Sequence, residues 1–183
     1  PGVLGPGSHA IRAGLVAAVV CAGLLPTWAT AQHKGAEETI EADYMPAVRQ
    51  ELARLDLHAI CDDAVRTCVF RRTIENGPAF DVNVRISPVT QTIYIYIERF
   101  LELPHGGEPS PELALRLLDL NRQMVTAKFE WDRVAGAIRL STVVNTDSNL
   151  DRKALRSQLQ GLWATAAKLW PELHKLAMRT SGD

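Results

Sequence analysis

The sequence predicts an α+β domain in the order αβββαββα, with a five-stranded antiparallel sheet packed by helices mainly on one face. Three observations predict it. Apolar residues recur at three- and four-residue steps over residues 37–57, 110–124 and 150–178. They alternate with polar residues over 67–74, 80–87, 92–101, 125–131 and 137–144. Short links rich in Gly, Pro and Asn join successive strands, and links that short connect strands running antiparallel.

Residues 1–31 are read as a leader. The opening PGVLGPGSHA, without an initiating methionine, reads as an expression scar or a misplaced start. Arg12 then precedes an apolar run over 13–25, the breaker Pro26 and the small-residue tripeptide Ala29-Thr30-Ala31. These are the parts of a secretory signal peptide, with cleavage expected after Ala31. The run is shorter than the about 20 residues a spanning helix needs, and no later stretch is long or apolar enough, so no stable membrane insertion is expected after cleavage. Cys21 lies inside this run after Val19 and Val20, not after a small residue as in a lipoprotein.

The mature chain, 32–183, has the size of one domain. The sequence carries 20 basic and 21 acidic residues, and losing Arg12 leaves 19 against 21. That near balance gives no reason to expect nucleic acid or an anionic lipid as partner.

The first helix is expected over 37–57 on the stripe Ile40, Tyr44, Val48, Leu52 and Leu55, restarted or kinked at Pro46. Next comes LHAICDDAVRTCVFRR, with Cys61 and Cys68 seven positions apart. An exported chain meets an oxidising environment, and a disulfide is the favoured reading. Closing so short a loop stabilises by about 2.5 kcal/mol in the chain-entropy estimate. A metal set would enlist His58, both cysteines and Asp62 or Asp63, but structural zinc sites use tighter cysteine pairs and a second ligand cluster. A redox centre would more naturally use Cys-x-x-Cys.

The three strands that follow turn at Asn76-Gly77-Pro78 and Ser87-Pro88. In the second, Phe80, Val82, Val84 and Ile86 share one face, and Asp81, Asn83, Arg85 and Ser87 the other, so one face is buried and one wet. In the third, QTIYIYIER, the isoleucines face the helices. Tyr94 and Tyr96 then join Asn83, Arg85 and Arg71 on the open face, the candidate protein-binding surface, since aromatic and arginine side chains are enriched in interfaces. Tyrosine is also simply a good strand residue.

Ser110-Pro111-Glu112 supplies an N-cap, a first-turn proline and an acid for the second helix, whose stripe is Leu113, Leu117, Leu120 and Met124. The second hairpin turns at Gly136, with Val125, Ala127, Phe129 and Trp131 toward the core. The last helix repeats Leu155, Leu159, Leu162, Ala166, Leu169, Leu173 and Leu176, and Pro171 is expected to kink or divide it. Trp163 and Trp170, a heptad apart, are expected in core or dimer packing.

Catalytic motifs do not emerge. Asn145, Asp147, Asn149 and Asp151 imitate the start of a calcium loop, but Leu150 and Arg156 stand where an EF-hand needs Gly and Glu, so a loop ending in a helix cap is expected. No serine sits in a Gly-x-Ser-x-Gly elbow, no glycine loop cradles phosphate, and the histidines at 33, 58, 105 and 174 are scattered. No cofactor is expected.

The element order, with LALRLLDLNRQMVTAKFEWD, a Gly turn, AIRLSTVV and a closing helix carrying LWPEL, resembles the YbjN family over residues 37–178. That family looks like a relative of the class I type III secretion chaperone fold, a twisted antiparallel sheet packed by the first and last helices and often dimeric. The resemblance implies a non-enzymatic role in protein interaction or regulation. The leader and the cysteine pair depart from cytosolic secretion chaperones. The reading is therefore an exported, periplasmic or extracellular, protein- or peptide-binding domain, with a homodimer as one assembly it allows. The alternative is a small-molecule binder or hydrolase using a pocket between the sheet and the last helix.

Overall fold

One six-stranded antiparallel sheet, in the order β1-β2-β3-β4-β6-β5, organises the chain. The computed structural model describes residues 43–179 apart from 76, 105–106 and 147–148. The leader expected at 1–31, residues 32–42, His105 and Asp147 lie outside the described residues. In chain order the elements are α1 (Met45–Arg54), β1 (Ile60–Asp62), β2 (Thr67–Thr73), β3 (Ala79–Ser87), β4 (Thr92–Glu102), α2 (Pro111–Gln123), β5 (Lys128–Asp132), β6 (Ala137–Asn145) and α3 (Arg152–Arg179).

The period-two pattern sets the layers. Phe80, Val82, Val84 and Ile86 of β3 and Ile93, Ile95 and Ile97 of β4 are all buried beneath the helices. Each such side chain contributes about 1.5–3 kcal/mol on leaving water. From α3, Leu155, Leu159, Leu162, Ala166, Leu169 and Leu173 meet this row. A bulge between Ile97 and Leu101 resets the β4–β6 register, so that Phe100 and Leu101 are both buried. Phe100 then stacks on Phe80 at 5.6 Å and meets Phe129 at 5.5 Å.

The turns follow the sequence. A Cβ on Gly77 would fall 2.5 Å from the Ile74 side chain, so the β2–β3 turn needs glycine there. Gly136 has φ 59°, the left-handed conformation that closes the β5–β6 hairpin. The Ser110 hydroxyl accepts from the Leu113 N–H at 3.1 Å, capping α2, and Asp151 accepts from the Lys153 and Ala154 N–H groups, capping α3.

Four expectations need correction. The sheet has six strands rather than five, because Ile60–Asp62 pairs with β2, Cys61 opposite Cys68. Three residues are too few to display a period, and the apolar Ile60 is 83% exposed. The strand expected from 125 begins at Lys128, with Val125 93% exposed. Trp131, expected in the core, is 41% exposed, because β5 is the sheet edge and the helices cover it only in part. At Pro46, where a restart or a kink is expected, the proline lies in the first turn of α1, so the start is what is found and that expectation stands. α3 runs unbroken through Pro171, which is exposed while the buried Leu169 and Leu173 on either side hold the helix to the sheet.

Cys61 and Cys68 form a disulfide, which takes both thiolates the metal reading requires. At the opposite edge, the Asn121 side chain of α2 donates to the Phe129 carbonyl at 2.9 Å and accepts from the Phe129 N–H at 2.7 Å. It satisfies the β5 edge as a further strand would. Among the described residues no helix is long and apolar enough to cross a membrane.

One charged contact ties the ends of the domain together. Glu51 of α1 is fully buried and accepts from Arg156 Nε at 3.0 Å and Nη2 at 2.6 Å. Its second oxygen has no hydrogen-bond partner and lies 3.7 Å from Arg54. Removing Arg156 takes both of its side-chain hydrogen bonds from a buried carboxylate and leaves it only the more distant Arg54, whereas removing Glu51 leaves an arginine already 47% exposed to reach water. Arg156→Leu is therefore expected to lower unfolding free energy by about 2–3 kcal/mol and Glu51→Leu by less than half of that, as measured by urea denaturation. Equal losses would contradict the asymmetry.

Candidate binding face of the sheet

Because the isoleucines of β4 point to the helices, its other row stands on the wet face: Thr92, Tyr94, Tyr96 and Glu98. Register fixes their neighbours. Tyr94 lies opposite Arg85 of β3 and Val143 of β6, and Tyr96 lies opposite Asn83 and Ser141. The two rings stack at 4.7 Å between centroids, interplanar angle 27°. The sequence-predicted Asn83, Arg85, Tyr94 and Tyr96 are thus brought together. Arg71 shares the face but sits farther out, on β2, facing Asp81 at 3.7 Å.

Sequence reasoning missed the group that holds this pair. Arg139 of β6 lies 5.0 Å from the Tyr96 ring centroid, hydrogen-bonds Glu98, and is within ion-pair reach of Asp132 at 3.4 Å and Glu130 at 3.9 Å. Tyr94 donates its hydroxyl proton to Glu130. The signal was available, since Arg139 alternates with the buried Ile138 and Leu140, and Glu130 with Phe129. What no pattern reveals is that β4, β6 and β5 lie side by side.

The electrostatics follow from half-burial. Desolvation pushes the Tyr94 phenol pKa up, and its bond to Glu130 pushes it further, more than Ser141 and Arg139 pull it back. Desolvation and the nearby Glu98 charge likewise raise Tyr96. Burial opposes the Arg139 charge, but Glu98 and Tyr94 outweigh it and the guanidinium pKa rises. Hydrogen bonds from the Ala135 and Val134 N–H groups, with the Arg139 charge, hold Asp132 below its ordinary range. At neutral pH the face presents two neutral phenols and a fixed guanidinium.

One end of the face is a broad concavity of about 740 Å³, where Arg85, Thr92, Tyr94 and Val143 meet the turn residues Val65 and Val89. Val89 is 90% exposed, and Val65 and Val143 are also exposed. The surface therefore combines aliphatic groups, an aromatic pair and a cation. Among the described residues no three His, Cys, Asp or Glu side chains are grouped to hold a metal.

No protein-family model and no curated protein matches the chain. Solved structures do share its fold. A chain of the ExsC–ExsE complex superposes with TM-score 0.53 at 13% identity, over 72% of this chain and 97% of that one. YbjN from E. coli gives 0.50 at 14%, over 68% and 89%. A chain of the HopA1–SchA chaperone–effector complex is also matched, at 18% identity over 70% and 94%, with a TM-score of 0.48 that carries no weight in assigning the fold. The chain has the YbjN-like, type III secretion chaperone-like fold.

The raised phenol pKa values carry a consequence. Where the fold raises a phenol above its ordinary value of about 10, the stabilisation is complete below that value and is lost as pH rises through the folded one. Tyr94 and Tyr96 are expected to titrate above pH 10 when followed by NMR of the ring carbons. Glu130→Gln should bring Tyr94 only partway back, since burial, the larger cause, persists. A Tyr94 midpoint unmoved by the substitution would contradict the assignment.

Proposed function

We propose that this chain is an exported, non-enzymatic domain that binds a protein or peptide on the wet face of its sheet. The observation that carries this reading is the stacked Tyr94–Tyr96 pair, fixed on a central strand by Arg139 and its carboxylates. A rigid aromatic pair gives large contact area with little side-chain entropy left to lose on binding. Arg85 and Asn83, opposite the two rings, add a cation and an amide. The exposed valines beside them add apolar area that a partner would cover.

Other observations support the reading. A structure of similar fold contains ExsC together with ExsE. The phenols, held neutral, suit contact rather than proton transfer. The leader at 1–31 and the Cys61–Cys68 bridge support an extracytoplasmic setting.

The test is recovery of a partner from the extracytoplasmic fraction by the exported protein, itself expected to begin at Gln32 when its N-terminus is sequenced. Wild-type bait is expected to retain a defined protein that Tyr94→Ala/Tyr96→Ala bait, with unchanged circular dichroism, loses at least tenfold. Equal recovery by the double variant would reject the tyrosine face, and bait found only in the cytoplasm with its leader intact would reject export.

A further inference from the structure

The opposite side of the sheet holds a second feature that the wet face does not explain. Along β2 the inward row reads Cys68, Phe70, Arg72. The first two are buried, and the third is a cation on the row that the sheet turns toward α3. Arg72 lies opposite Phe80, and its guanidinium sits 4.8 Å from the Trp163 ring centroid. The other charged contacts here differ. Arg71, Arg116, Arg139 and Arg156 each reach a carboxylate, whereas none lies in ion-pair range of Arg72 among the described residues. A charge on an otherwise apolar row, without a counter-charge, breaks the local rule that the rest of the strand obeys, and such breaks concentrate at functional sites.

Beside it is a cavity of about 150 Å³ between the sheet and α3. Phe70, Val82, Leu159 and Leu162, all buried, form its floor, and the exposed Arg72 and Gln160 stand at its mouth. The floor offers no polar side chain, so water there would lack the two to four partners that hold a buried water in place. An apolar cavity of this size admits a six-carbon ring. A guanidinium whose face rests on an indole keeps its edge donors free, and that fork matches a carboxylate in two parallel hydrogen bonds. The Gln160 amide adds a further donor at the same opening.

We propose that this cavity binds a small monocarboxylate with an apolar tail of about six carbons, the carboxylate on Arg72 and Gln160 and the tail against Phe70, Val82, Leu159 and Leu162. The site lies on the helix side of the sheet and is separate from the tyrosine face. Occupancy would also fill space that otherwise lacks packing partners.

The experiment titrates the full chain with hexanoate, hexan-1-ol and acetate, following the Trp163 indole N–H and the Leu159 methyl groups by NMR. Hexanoate is expected to saturate, hexan-1-ol to bind the same site more weakly, and acetate to shift neither probe. Arg72→Gln, at an exposed position, is expected to weaken hexanoate about tenfold and leave hexan-1-ol unchanged. Leu159→Phe fills the cavity and is expected to abolish both; if that variant fails to fold, Gln160→Ala serves instead and should weaken hexanoate alone. Acetate acting as strongly as hexanoate, no saturation, or shifts confined to other residues would overturn the site. Tighter binding of an acetylated pentapeptide ending in leucine carboxylate would move the ligand to a chain terminus and overturn the free acid.

Discussion

The alternation of inward and outward side chains along β3, and along β4 as far as its bulge, is the constraint on which the rest depends. A pleated strand sends successive side chains to opposite faces, so burying Ile93, Ile95 and Ile97 under α3 leaves Tyr94 and Tyr96 no place but the wet face. A slip of one residue would exchange the two rows and put two phenols in the core. The same hydrophobic burial that stabilises the domain therefore sets the rings side by side. Once there, they meet Arg139, whose own inward neighbours Ile138 and Leu140 fix it by the same rule.

Around this core the chain manages its edges and ends by polar means. Asn121 satisfies the backbone of β5, and the disulfide holds the three-residue β1 against β2. Glu51 and Arg156, 105 residues apart in sequence, join α1 to α3 beside the row that covers the isoleucines. A buried carboxylate is a poor source of net stability, but it penalises any docking of α1 that would leave it without its guanidinium. The sheet consequently has two unlike sides: a wet face where charged groups surround an aromatic pair, and a helix side with a cation at the mouth of an apolar cavity.

Much of this was readable in the sequence because the reading rested on local periods. The inward rows, the Ser110 cap, the Gly136 turn and the cysteine pair are properties of a few consecutive residues, and each appears where those residues require. The errors share a cause in tertiary context. Ile60–Asp62 is a strand only because β2 lies beside it, Trp131 is half-open only because β5 is an edge, and α3 passes Pro171 only because its flanking leucines are packed. At the candidate face, Asn83, Arg85, Tyr94 and Tyr96 were identifiable because β3 and β4 are sequential neighbours. Arg139, Glu130 and Asp132 were not, since α2 separates β4 from β5 and β6 in the chain and no local pattern says that they rejoin in the sheet.

The most direct test of the central claim is a footprint of the protein on its captured partner, by amide hydrogen exchange and by cross-linking from residues on each side of the sheet. If the wet face is the contact surface, cross-links form from Asn83, Arg85 and Val143, and added protection falls on β3, β4 and β6. Cross-links and protection confined to the outer faces of α2 and α3, with the tyrosine face as open as in the free protein, would contradict the account.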